Sequence, residues 1–224
     1  MATALESGLH KPLQRRSEET LERIVRATSH LFERKTFNEI TVQDIVAAAD
    51  SSVGSFYARF SDKDALLDYL HERYREQVYA GIARVLDPER LVGQSVEAIV
   101  RRVVPVFVRA HREHQGAMRT FHARAAVDAG FRAREEDMNR YISETFAGVL
   151  LRQKGAIRHP HPERAIDFAV VSLLGALLQR VFFHGPGRYP MGDEEFGEHL
   201  VAGFLAFLQV KPSRGGRRAQ RERA

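Results

Sequence analysis

Apolar residues recur at three- and four-residue intervals along nearly the whole chain, and no run keeps the two-residue rhythm of a half-buried strand. In SEETLERIVRATSHLFERKTF, Leu21, Ile24, Val25, Thr28, Leu31 and Phe32 fall on one helical face, with Ser17 in the place of an N-cap. Thr41 opens a short second helix whose inward residues are Val42, Ile45, Val46 and Ala49, with Asp44 as a capping-box partner. The chain breaks at Asp50-Ser51-Ser52 and restarts as SVGSFYARF, with Ser52 as N-cap. A longer helix is predicted from Asp62 or Lys63 onward, and Asp87-Pro88 has the form of an N-cap with proline at the first helical position. Further on, SVEAIVRRVVPVFVRAHREH, GAMRTFHARAAV, FRAREEDMNRYISETFAGVLLRQ, HPHPERAIDFAVVSLLGALLQRVFF and DEEFGEHLVAGFLAFLQV each read as helical, with HGPGRYPMG as a loop. About nine helices result, in two blocks: a compact first unit of three and a larger bundle of longer ones.

Composition narrows this picture without changing it. Hydrophobic residues make up 44%, ordinary for a chain that buries a core. With no cysteine there are no disulfides and no thiolate metal sites. No apolar run approaches the roughly 18 residues of a membrane helix, and the first 16 residues hold no apolar stretch suited to a signal peptide. A cytoplasmic protein with no membrane association is expected. The pI of about 9.7 has a local origin. Residues 211–224 carry six Lys and Arg against Glu222, which equals the net +5 of the chain. That segment is expected to be a disordered basic tail, able to add non-specific phosphate affinity.

Two short helices joined by a tight turn are a helix-turn-helix. Helices this short do not persist alone, so the helix from residue 17 is needed as a packing surface. A glycine inside the second short helix costs about 1 kcal/mol against alanine. That cost is rational if the backbone at Gly54 must closely approach something outside the protein, such as a DNA groove wall. Tyr57 can point its hydroxyl at a phosphate, and the helix starts at Thr41, Ser52 and near Lys63 can present free amides.

TVQDIVAAADSSVGSFYARFSDKDALL resembles the signature of the tetracycline-repressor (TetR) family of bacterial transcription regulators, T-V-x-D-I-A followed by A-G-V-S-x-G-T-L-Y-x-H-F-x-S-K-E-x-L. Thr41, Val42, Asp44, Ile45, Ala49, Ser52, Gly54, Tyr57, Phe60, Lys63, Leu66 and Leu67 match in type and spacing. Asp50 stands in place of the turn glycine and can adopt the left-handed conformation the turn needs. Ser51 replaces an apolar turn residue, and Arg59 a histidine. The resemblance implies an all-α protein. A three-helix helix-turn-helix DNA-binding domain, residues 17–62, would follow a flexible arm, 1–16. A helical ligand-binding and dimerisation domain, 63–210, and the basic tail, 211–224, would complete it. Ser52, Val53, Gly54 and Ser55 would face base edges, and Thr41, Tyr57, Arg59 and Lys63 would meet phosphates, while Phe56 and Phe60 pack.

The same resemblance implies a repressor that binds a palindromic operator in double-stranded DNA as a homodimer, with release by a small apolar or amphipathic ligand. Helix 63–86, which joins both blocks, is the expected lever. Ile166, Val170, Leu173, Leu177 and Val181 on one helix and Phe196, Leu200, Phe204 and Phe207 on the last are the candidates for the dimer interface. Phe107, His111, Phe121, His122, Met138 and Tyr141 combine aromatic surface with a few polar groups, the composition of a ligand pocket. The pairs His111–His114 and His159–His161, and the single His122, lack further ligands at useful spacing, so no metal or cofactor is expected. An enzyme is the rival class, but G-x-S-x-G, P-loop and H-E-x-x-H patterns are absent from the sequence. A further alternative is a family member whose helical block binds a protein partner or no ligand.

Overall fold

A computed structural model describes residues 10–183 and 191–210, with side chains from residue 17 onward. Most of the loop 184–192, the first nine residues of the arm and the basic tail lie outside the described residues. Among the described residues nine α-helices form, and the only extended pairing is one antiparallel bridge, Ile157 to Val210. The chain divides into two compact units, residues 1–74 and 75–224.

The first unit holds α1 (His10–Leu31), α2 (Val42–Ala48), α3 (Val53–Tyr57) and the start of α4 (Lys63–Val85), which continues into the second unit. α1 begins two turns earlier than the sequence pattern suggests, so Ser17 is not a cap and residues 10–16 are helical rather than part of an arm. α1 packs on α2 and α2 on α3. Ile24, Ile45, Phe56 and Leu66 are fully buried and come from all four helices, which is how elements as short as α2 and α3 gain stability they lack alone.

The second unit holds α5 (Val96–Glu113), α6 (Gln115–Val127), α7 (Ala129–Leu151), α8 (Pro162–Phe182) and α9 (Asp193–Phe207). Asp87 caps a turn and not a helix: its carboxylate accepts from the Glu89 N–H at 3.0 Å, and α5 starts later, behind the Ser95 cap. α5 packs on α8 and α9, α6 on α7 and α8, and α8 also on α7 and α9. A row of rings ties three helices together: Phe107 lies 5.9 Å from Phe146, which stacks on Phe204 at 5.7 Å. Among the described residues α8 alone is long and apolar enough to cross a membrane, yet Ile166, Val170, Leu173, Leu177 and Val181 form a stripe buried against its neighbours.

Candidate nucleic-acid interface

The turn between α2 and α3 is built from side chains that satisfy backbone groups. Thr41 caps α2: its hydroxyl accepts from the Asp44 N–H at 3.1 Å, and the Asp44 carboxylate accepts from the Thr41 N–H at 2.9 Å. Hydrogen bonds from the Thr41 backbone and hydroxyl, then from Lys35, pull the Asp44 carboxyl down to about 2. Ser52 caps α3 in the same way, accepting from the Ser55 N–H at 3.1 Å, and its hydroxyl meets that of Ser55 at 3.0 Å. Asp50 turns the chain with φ of 46°, the left-handed geometry expected of it.

α3 divides its residues cleanly. Phe56 is buried, its ring 5.6 Å from that of Phe60 and edge-on to Tyr57 at 5.3 Å. Val53 and Tyr57 stand 40% and 54% exposed beside the exposed Ser52 and Gly54. A Cβ at Gly54 would meet only the Ser52 hydroxyl, at 3.9 Å. Nothing within the fold therefore requires a glycine at this position.

The two basic residues expected at phosphates are engaged inside the protein. Arg59 donates to the Ser55 carbonyl at 2.6 Å and to the Ser17 carbonyl and hydroxyl at 2.9 and 3.0 Å. Lys63 donates to the carbonyls of Phe37 and Ile40, each at 2.7 Å, with its ammonium 4.4 Å from the centre of the Phe37 ring. Sequence reasoning missed a third such contact. Arg23 on α1 donates to the Ala49 carbonyl at 3.1 Å and reaches that of Asp50 at 3.4 Å, serving the end of α2 and the turn. No local pattern announces it, because Arg23 lies more than 25 residues away from those acceptors.

In the second unit the six residues considered for a ligand pocket lie on α5, α6 and α7. Phe107, Phe121 and Met138 are core residues, Phe121 lying 5.9 Å from Phe131. The Nδ1 of His111 bonds the Phe107 carbonyl at 2.8 Å, and burial holds its pKa below the usual histidine range. His122 bonds the Met118 carbonyl at 3.0 Å through Nδ1, which also lies 3.5 Å from the buried carboxylate of Glu135, a residue not singled out from the sequence. Tyr141 sets its ring edge-on to Tyr79 of α4 at 4.8 Å.

The dimer candidates divide between core and surface. Ile166, Val170, Leu173, Leu177 and Val181 are the core stripe of α8, each no more than 3% exposed, and Phe204 is buried as well. The large apolar groups left outside are Phe168, Val171 and, at its end, Phe182 on α8 and Phe207 on α9, with Phe196 and Leu200 intermediate. Phe168, Leu173, Leu200, Gly203, Phe204 and Phe207 line a shallow apolar groove of about 240 Å³ between the two helices.

A helix-turn-helix with an exposed second helix, joined by a continuous helix to an all-α block, defines a DNA-binding regulator. The family model of bacterial regulatory proteins of the tetR family matches residues 24–70, and that of the tetracyclin repressor-like C-terminal domain matches residues 95–208. The chain belongs to the TetR family of transcriptional regulators. No curated protein sequence matches it. Solved structures share the fold at low identity. A TetR-family transcriptional regulator from Mesorhizobium loti is 20% identical with a TM-score of 0.69, covering 87% of this chain and 97% of its own. A bacterial regulatory protein in the TetR family from Rhodococcus is 17% identical, TM-score 0.69, covering 86% and 98%. The ketosteroid transcriptional regulator KstR2 of Mycobacterium tuberculosis is 17% identical, TM-score 0.65, covering 86% and 95%.

Proposed function

We propose that this protein is a repressor that binds a palindromic operator as a homodimer and leaves it when a small apolar or amphipathic molecule enters the helical block. The observation that carries the groove reading is Gly54, exposed in α3 with no intramolecular reason to lack a side chain. Ser52, Val53, Gly54 and Ser55 are the base-facing set. Thr41 and Tyr57 are the phosphate contacts, from either side of it. Two copies related by a two-fold axis would present α3 to half-sites about one helical turn apart. Release requires a ligand that binds one spacing of the two recognition helices better than the other, with α4 as the lever. His111, His122 and Glu135, polar groups set among Phe107, Phe121 and Met138, supply the few oriented contacts such a ligand needs.

The test is a mobility shift with duplexes selected from random DNA by the wild-type protein, beside Gly54→Leu. Leucine is a good helix former and its Cβ would make only an ordinary contact with the Ser52 hydroxyl, so the variant is expected to fold at least as stably as wild type. It is expected to lose specific binding. Retention of wild-type affinity by Gly54→Leu would remove α3 from the groove. Enrichment of palindromes supports the dimer, and single half-sites would reject it. Screening small molecules for release of the bound duplex then tests the repressor switch.

A further inference from the structure

We propose that Arg59 is a positioning residue, which locks the recognition helix α3 to α1, and not a phosphate contact; this rests on the DNA-binding reading above. The need for such a lock follows from the end of α3. A five-residue helix leaves its last carbonyls without helical partners. Backbone N–H groups serve two of them: Ala58 donates to the Gly54 carbonyl, and Arg59 and Phe60 donate to that of Phe56. Ser55 is passed over, and its carbonyl takes the Arg59 guanidinium at 2.6 Å instead. The other arm of the same planar group reaches 42 residues back to α1, to the carbonyl and the hydroxyl of Ser17 at 2.9 and 3.0 Å. One rigid fork thus holds a base-facing residue of α3 and a fixed point on α1. Phe56 anchors the buried side of α3, whereas Val53 and Tyr57 on the other side are 40% and 54% exposed and leave its angle less constrained by packing. The Arg59 fork is the polar restraint on that side. The resemblance-based assignment of this position to a phosphate would require the guanidinium to leave three acceptors that it already satisfies.

The two roles differ in what they do to specificity and to salt dependence. Loss of a phosphate contact weakens all DNA alike and lowers the slope of log affinity against log salt by about 0.9 for each phosphate released. Loss of a positioning contact misplaces base-reading groups, and so lowers affinity for the selected site while leaving scrambled DNA untouched. The experiment is an anisotropy titration of full-length protein on a selected and a scrambled duplex over about 50 to 200 mM salt. The proteins are wild type, Arg59→Met, Arg59→Lys and Ser17→Ala, each below its melting range. Arg59→Met is expected to cut the selected-over-scrambled ratio about tenfold with the salt slope unchanged. Arg59→Lys keeps the charge but not the fork, and is expected to resemble Arg59→Met. Ser17→Ala removes one acceptor and no charge, and is expected to cut the ratio about threefold. A slope lowered by about 0.9 per protomer with equal losses on both duplexes, or recovery in Arg59→Lys, overturns the proposal. Should Arg59→Met fail to fold, Ser17→Ala decides: a reduced ratio supports the lock, and a wild-type ratio overturns it. If the wild-type protein itself enriches no sequence, it is the DNA-binding reading that fails.

Discussion

At the scale of single residues, the turn between α2 and α3 carries two departures from the family pattern, and they have opposite costs. Asp50 takes the left-handed conformation at 46°, which an aspartate tolerates, and Arg23 supports its carbonyl and that of Ala49. Ser51 has no such support. Its hydroxyl oxygen is buried, and among the described residues it finds no hydrogen-bond partner. A buried polar group left unpaired costs roughly 1–3 kcal/mol. Ser51→Ala removes the orphan at nearly constant volume, so it is expected to raise stability by about 1 kcal/mol, read as a higher urea midpoint at unchanged m. A lower midpoint would mean that the hydroxyl has found a partner. Asp44 yields a prediction in pH. Its folded carboxyl sits at about 2 against an ordinary 3.8, so the charged form is the one the fold favours. The stability it contributes is complete above pH 3.8 and is lost as pH falls toward 2. Asp44→Asn is expected to make the acid limb of the stability profile shallower in that window, while leaving the profile above it flat. A limb as steep as that of wild type would show that the Thr41 capping box does not feel the titration.

At the scale of elements, the existence of each helix was legible from spacing, because a buried stripe recurs at the helical period whatever it packs against. For the same reason the function of a stripe was not legible. Ile166, Val170, Leu173, Leu177 and Val181 are the most regular apolar row on α8, and that regularity marks the chain's own core. The groups open to a second copy, Phe168 and Val171, break the row and read as noise in the pattern. The cap at Ser17 failed through a similar local ambiguity: serine followed by two acidic residues looks like a helix start, yet α1 runs through it from His10. Lys63 matches the family pattern and Arg59 replaces its histidine, but their engagement with Ser17, Phe37 and Ile40 depends on contacts more than 20 residues away. The exposed face of α8 and α9 gives a direct prediction. Phe168 and Phe207 lie 5.0 Å apart, and 59% and 39% of their surfaces are open. Burying that pair against a partner contributes by area, about 25 cal/mol per Å², whereas a carboxylate there would be desolvated without a counter-charge. Phe168→Glu is expected to shift the protein from dimer to monomer in sedimentation velocity, with secondary structure retained. A variant that sediments as wild type would remove this face from the proposed dimer.

At the scale of the whole molecule, charge is distributed against the simplest picture of a DNA-binding protein. Residues 1–74, the unit that contains α3, carry ten Lys and Arg against twelve Asp and Glu. Three of those ten, Arg23, Arg59 and Lys63, bond backbone carbonyls within the unit. A net-acidic domain gains little from the general attraction of a duplex that presents one charge per about 1.7 Å. Its binding must lean on shape and a few groove contacts, and the sequence-independent share must come from elsewhere in the chain. Residues 211–224 hold six basic groups and one acidic, the largest reserve of positive charge available for that purpose. This separates two kinds of loss that a single affinity measurement would merge. Deleting 211–224 is expected to weaken selected and scrambled duplexes together, at a constant ratio between them, and to lower the salt slope by at least about 2 per dimer. Disturbing the Arg59 fork is expected to do the reverse. If the deletion instead reduces the ratio, the tail itself reads sequence. If it leaves the slope untouched, the tail stays off the DNA, and the cations that meet the phosphates must lie among Lys11, Arg15, Arg16, Arg26 and the remaining basic residues of the first unit.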